Sequence, residues 1–270
     1  TTILWEADHD SGAVYGANDA AVGEMYNDST FDDALVINAG ATLPLASITL
    51  RAASGQGHTG TAGTGVRWVI TATKRSLDVS SPVASRPPTT VSHVEFNNNG
   101  FGPASTVDSG GLNAMTFTLA RFILHNATRS AGDLRGITIA NAVAHTENYL
   151  NGIIYNLAVT GVTNRIVNGI NLNQTAHTIN VMNVTVDTIT NNTTAGTATG
   201  ILAASDAGFT VKNCVATNTG GTSSGALLDF SLGALVVDTN LASEDTTATG
   251  TGSITGLTPA NETVDQRRLA

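Results

Sequence analysis

The sequence predicts an all-β fold, a parallel β-helix wound in coils of about 27–30 residues behind an N-terminal capping segment, and three observations carry that prediction. The first is composition: 24 Asn, 41 Thr, 18 Ser and 28 Gly in 270 residues, with only 5% aromatic residues. Gly, Asn, Thr and Ser rank low as helix formers, whereas Thr and Val suit a pleated strand. The second is a repeat carrying two alternating markers. The third is that no ten-residue amphipathic helix interrupts it, which excludes leucine-rich, ankyrin and other helix-containing repeats.

The first marker is an aliphatic residue, a variable one, Asn, then an apolar one. It occurs as Ile154-Tyr155-Asn156-Leu157, Val181-Met182-Asn183-Val184 and Val211-Lys212-Asn213-Cys214, with weaker copies at Leu124-His125-Asn126-Ala127 and Asp238-Thr239-Asn240-Leu241. The asparagines fall at 126, 156, 183, 213 and 240, intervals of 30, 27, 30 and 27, and Asn98 extends the series back by 28. The second marker, Gly before an apolar stretch, runs out of phase at Gly111, Gly136, Gly169, Gly200 and Gly225. Two alternating markers are harder to obtain by chance than one. Between them lie short Thr/Val/Ile-rich pieces, alternating as strands do, so each repeat reads as one coil stacked at about 4.8 Å on the last. A β-sandwich or jelly roll is the alternative that so Asn-rich a chain leaves open.

Each Asn is read as a corner. Val181 lies two before Asn183, while Val184 and Val186 continue on the opposite parity, so both sets face inward only if the chain bends at Asn183. Asn is the non-Gly residue that best tolerates the left-handed conformation such a bend requires. The expected structural ladder is Asn98, Asn126, Asn156, Asn183, Asn213 and Asn240, side chains turned inward and amides hydrogen-bonded from coil to coil. Seven Asn-x-Ser/Thr triplets occur, about what composition gives, and on this reading Asn126 and Asn183 are closed to glycosylation while Asn191 and Asn192 lie in an exposed turn.

In chain order, residues 1–50 are expected to form a cap and the first strands, 51–90 irregular first coils and a loop, 91–256 the regular coils, and 257–270 a C-terminal tail or cap. A β-helix must cover its open ends, and Ile3, Leu4, Trp5 and Ala7 are candidates to pack on the first coil. Eight carboxylates fall between Glu6 and Asp33 with no Lys or Arg among them; a solvated polar face is preferred over a Ca²⁺ or acid/base site, and no other cofactor is implied. Residues 75–90 hold three of the six prolines and read as a loop. From Gly136 to Asn156 the spacing is 20 against 13 to 15 elsewhere, so "NAVAHTENYL" reads as an insertion whose His145, Glu147 and Tyr149 form a contact loop. The residue before each ladder Asn points the other way, giving His125, Tyr155, Met182, Lys212 and Thr239 as an outer stripe, for which a solvated face is preferred over a surface that binds a glycan or a neighbouring subunit.

The alternating Gly-Ile and Val-x-Asn coils over about 91–256 resemble right-handed β-helices of the pectate-lyase-like superfold. Trp5-Glu6-Ala7, Glu24-Met25-Tyr26-Asn27-Asp28 with Phe31-Asp32, and Gly57-His58-Thr59-Gly60-Thr61-Ala62-Gly63 resemble the leading segment of uncharacterised β-helix proteins of phages and environmental bacteria, a group with no established activity to carry over. The first resemblance implies polysaccharide chemistry, which needs clustered carboxylates. Measured from the ladder Asn of their own coils, Asp133, Glu147, Asp187, Asp206, Asp229 and Asp238 share no offset between neighbours, so no acidic column is expected.

Charge narrows the partners. Net charge is −9, and the 12 basic residues form no cluster, which disfavours nucleic acid and anionic membrane. No apolar run approaches the roughly 18–20 residues of a membrane span, and the start lacks a basic and apolar leader, so a leader is expected to have been removed or export to proceed without one. Cys214 is the only cysteine, and the histidines lack metal-ligand spacing. The expectation is a non-enzymatic surface protein of a virion, or extracellular: a capsid decoration, fibre or spike element. Its expected partners are capsid or tail proteins or a surface polysaccharide, and it could be a trimeric homo-oligomer. The alternatives are a polysaccharide lyase or glycoside hydrolase on the same scaffold, and a secreted bacterial adhesin.

Overall fold

A computed structural model describes residues 16, 18–28, 30–37, 45–79, 87–109, 115–139, 145–173, 177–204 and 206–257. Among them there is no helix. The chain is a parallel β-solenoid of about 6 turns, its strands stacked in two sheets. In the larger, Thr89–Asn97, Thr116–Arg129, Thr146–Thr160 and Thr178–Asn192 lie in parallel register, one per coil. In the smaller, Ser105–Asp108, Leu134–Thr138, Ile166–Leu172, Thr197–Ala203 and Leu227–Leu232 do the same. The solenoid is already under way at Ala20–Met25, which pairs in parallel with Ser47–Ala52. The cap residues Ile3, Leu4, Trp5 and Ala7, the centre of the proline-rich loop and the tail after Leu257 lie outside the described residues.

The long strands bend twice. Along Thr146–Thr160 burial alternates, but parity flips at Asn151 and again at Asn156, so Glu147 and Tyr149, then Gly152 and Ile154, then Leu157 and Val159 all face the core. Both asparagines have left-handed backbones, with φ of 55° and 56°. The same pair of bends recurs five residues apart in three other coils, at Arg121 and Asn126, Asn183 and Thr188, and Asn213 and Asn218.

There are therefore two corner columns. The first runs His93, Arg121, Asn151, Asn183, Asn213, Asn240; the second runs Asn126, Asn156, Thr188, Asn218. The expected single ladder passes from one column to the other between Asn156 and Asn183, and the interval of 27 there is that step. The coil itself is longer: Asn151 to Asn183 is 32 residues, and Asn183 donates to Asn151 Oδ1 at 2.9 Å, not to Asn156. Above it the ladder continues as expected, Asn213 to Asn183 at 3.1 Å and Asn240 to Asn213 at 2.9 Å; in the second column Asn156 donates to Asn126 at 2.6 Å. These amides lie on the outside, because a left-handed bend lets the residues on either side of it point inward. Asn151, Asn156, Asn213 and Asn240 are exposed and Asn126 and Asn183 half-buried, which corrects the inward-facing ladder. Asn98 is not a rung: it is buried and accepts from Ser76 at 2.9 Å, and Asn126 reaches Asn97.

The glycine marker has a steric origin. Gly136, Gly169 and Gly200 stack in the smaller sheet, and a Cβ on each would lie 2.4–2.6 Å from the next coil's carbonyl oxygen. Gly225 belongs to another column, against Gly196. In the core of the larger sheet the Phe122 ring fills the space above Gly152, within 2.1–2.7 Å of where a Cβ would stand. One large and one absent side chain thus share one core position in successive coils.

Candidate functional site

The expected contact loop is core. With two corners recognised, Gly136 to Asn151 is 15 residues, as in other coils, and the insertion disappears. Thr146 already begins the strand, and Glu147 and Tyr149 are 0% exposed, His145 3%. Glu147 Oε2 accepts from the hydroxyls of Tyr149 and of Ser109 (2.7 Å), while Oε1 lies 3.8 Å from His145 Nδ1. Burial pushes the Glu147 carboxyl up to about 7 against those hydrogen bonds, and burial with the neighbouring Glu147 carboxyl raises the Tyr149 phenol. The rings of His145 and His177 sit 5.3 Å apart beside this cluster. Such a network sets the core's packing and presents no contact surface.

The expected outer stripe also divides. His125 and Tyr155 share one column with Asp187, whereas Met182, Lys212 and Thr239 share the other. His125 and Tyr155 stack at 4.8 Å and 14°, but His125 is only 3% exposed, because its Nε2–H donates to Glu95 at 2.9 Å beneath a covering segment. Asn191, expected in an exposed turn, is buried: its amide donates to the carbonyls of Arg165 and Thr197 and its oxygen accepts from Thr193. Asn192 is exposed.

The acidic N-terminal stretch is divided among separate partners. Glu24 pairs with Arg51 at 2.8 Å, Asp33 with Lys74 at 2.7 Å, and Asp19 accepts from the Gly16 amide. Among the described residues no group of three or more His, Cys, Asp or Glu is placed to hold a metal.

A concave site lies along the first corner column. A cleft of about 310 Å³ is lined by the corner residues His93, Arg121, Asn151 and Asn183, with Ile153 and Thr185 beside them and His58 to Gly60 as a wall. A second cleft of about 320 Å³, lined by Glu24, Arg51 and Gly57, shares His93 with it. The two adjoin at His93, and the first forms a groove along the solenoid axis from the coil of His93 to that of Asn183.

Its chemistry comes from two exceptions to the ladder. Where later coils place Asn, the two coils before them place His93 and Arg121, with φ of 60° and 51°. A bulky residue held there costs on the order of 1–3 kcal/mol, and such strain clusters where side chains have work to do. Arg121 Nη1 donates to His93 Nε2 at 2.8 Å, which leaves the His93 proton on Nδ1, 3.3 Å from Ser92 Oγ. Burial, then the charge of Arg121, holds the His93 imidazole below its ordinary value, so it is neutral at neutral pH. His58 Nδ1 accepts from the Gly60 amide at 3.1 Å, so its proton is on Nε2 and donates to the Arg121 carbonyl at 2.7 Å. Among the described residues no carboxylate pairs with Arg121. In a chain of net charge −9, the first cleft is lined by cationic, hydroxyl and amide groups and by no described carboxylate.

His58, His93 and Arg121 were not singled out from the sequence, although a signal existed. His93, Arg121 and Asn151 repeat the intervals of 28 and 30 set by Asn98, Asn126 and Asn156, five residues upstream. Comparison with protein-family models, with curated proteins and with solved structures finds no match.

Proposed function

We propose that this protein is a non-enzymatic β-solenoid of a virion or extracellular surface that holds an extended, negatively charged saccharide in the groove along its first corner column. The observation that carries this is the replacement of ladder Asn by His93 and Arg121 among the residues that line the groove. The groove spans about three coil steps, close to 14 Å at 4.8 Å per step. Amide, hydroxyl and guanidinium donors, with one aliphatic side chain, are what a polyhydroxylated anion uses. The virion part rests on the resemblance of the leading segment to β-helix proteins of phages and environmental bacteria, which an adhesin shares equally; mass spectrometry of purified particles separates the two.

The lyase alternative has its own observation, a neutral histidine beside a guanidinium, as proton abstraction next to a carboxylate needs. The hydrogen bonding opposes it. The one basic lone pair of His93 accepts from Arg121 and that of His58 from Gly60, so neither imidazole offers a base to a substrate. Calorimetric titration with uronate and neutral tetrasaccharides, alongside an assay for new reducing ends, tests the proposal. Uronate binding without cleavage supports it; cleavage, or no binding of either sugar, overturns it.

A further inference from the structure

The side chains between the two corners alternate inward and outward, yet Glu95 and His125, at outward positions, are buried. The cause is the segment 53–66, which leaves the solenoid after Ser47–Ala52 and returns at Arg67–Val69. It crosses neighbouring coils, closing its base with the Val66 amide on the Gln56 carbonyl at 3.1 Å. Its ends are tied to other coils by the Ala53 amide on the Met25 carbonyl (2.8 Å), the Asn27 amide on Gln56 Oε1 (3.1 Å) and the Glu95 amide on the Val66 carbonyl (3.0 Å). Its middle is tied by His58 Nε2–H to the Arg121 carbonyl at 2.7 Å and by the Gly63 amide to Glu95 Oε2 at 2.6 Å. Glu95 Oε1 is held in turn by His125 Nε2–H at 2.9 Å, and the His125 ring lies on Tyr155 of the next coil. One buried carboxylate therefore connects the crossing segment to a ring braced by the coil beyond.

We propose that Glu95, braced by His125, is the positioning residue that locks segment 53–66 down and so sets His58 as the wall of the groove, without touching the ligand itself. This rests on the groove being the binding site, but the latch can be read without any ligand. A charged acceptor shared by two donors is the stronger kind of hydrogen-bonded tie, and removing it leaves the Gly63 amide and the His125 N–H without their acceptor. Burial pushes the Glu95 carboxyl up, but the hydrogen bonds from His125 and Gly63 and the charges of His125 and Arg67 outweigh it, so the carboxylate persists below the usual range.

The experiment compares wild type with Glu95→Ala, Glu95→Asp and Glu95→Gln in three measurements: backbone amide exchange, the ¹⁵N signals of the His58 ring, and affinity for a uronate tetrasaccharide. In Glu95→Ala, amides 57–65 should exchange at least tenfold faster while those of Thr146–Thr160 do not change, the His58 Nε2–H form should be lost, and affinity should fall about tenfold. Glu95→Asp, one methylene too short to reach both donors, should move the same way and serves if the alanine variant does not fold. Glu95→Gln keeps an acceptor for Gly63 and should recover much of the protection. Unchanged exchange of 57–65 in both shortened variants overturns the latch. Faster exchange with unchanged His58 signals and unchanged affinity overturns its role in the groove. If wild type binds no uronate, the proposed function fails while the exchange and His58 measurements still decide the latch.

Discussion

Arg121→Asn separates stability from binding, because it installs at a left-handed corner the residue that corner prefers. In wild type the guanidinium sits on a backbone of φ 51°, at the position where the next coils carry Asn151 and Asn183. Relief of that strain is worth on the order of 1 kcal/mol, and an added rung toward Asn151 about another 0.5–1. Loss of the 2.8 Å hydrogen bond from the exposed guanidinium to His93, at the lower end for a charged donor, removes about 1.5 kcal/mol, so stability should be unchanged or rise by up to about 0.5 kcal/mol. Binding should move the other way. A charge-assisted hydrogen bond to an anion is worth about 1.5–3 kcal/mol, so uronate affinity should fall by at least about tenfold, with little change for a neutral sugar. The assay is urea unfolding with calorimetric titration on the same preparations. A variant destabilised by more than about 1 kcal/mol with unaltered uronate affinity would refute both the corner account and the role of Arg121.

Four further outcomes follow from the same geometry. Asn183→Leu loses the rungs to Asn151 and from Asn213 and places a γ-branched residue at φ 55°, so it should cost about 2 kcal/mol in urea unfolding; an unchanged midpoint would mean the ladder contributes nothing. Thr188→Asn puts the preferred residue into the second column, where a β-branched one is strained, and should stabilise by about 1 kcal/mol; a loss of that size contradicts the column. Gly152→Ala pushes a methyl into the Phe122 ring and should cost about 1–3 kcal/mol, with a neutral result showing that the ring has room to move. Glu147 has a folded value of about 7, above its ordinary 4.5, so its contribution is full below about pH 4.5 and is lost as pH rises toward 7, about 3 kcal/mol in all. Glu147→Gln should remove that slope, and parallel pH profiles for variant and wild type across the window would exclude it.

The solenoid was legible in the sequence because its constraints are local and repeated. A left-handed corner selects Asn, a carbonyl packed on the next coil selects Gly, and both recur once per coil at Asn183 and Asn213 and at Gly136 and Gly169. The register was misread because Asn identity stood in for corner geometry. Thr188, Arg121 and His93 occupy corners without being Asn, so intervals between asparagines run from Asn156 in one column to Asn183 in the other. That slip produced the apparent insertion around His145, Glu147 and Tyr149 and merged two outer columns into one stripe. The groove was hidden for the same reason, since its residues are the ones that break the pattern. The burial of Glu95 and His125 depends on a segment crossing from another coil, which no spacing along the chain encodes.

The central claim, a cationic groove on the first corner column, is tested most directly by mapping amide chemical shifts while a uronate tetrasaccharide is titrated. The account predicts the largest shifts at His58, His93, Arg121, Asn151 and Asn183, with the smaller sheet at Ile137, Ile170 and Ile201 unmoved. Shifts centred on any other face, or none at saturating sugar, would contradict it.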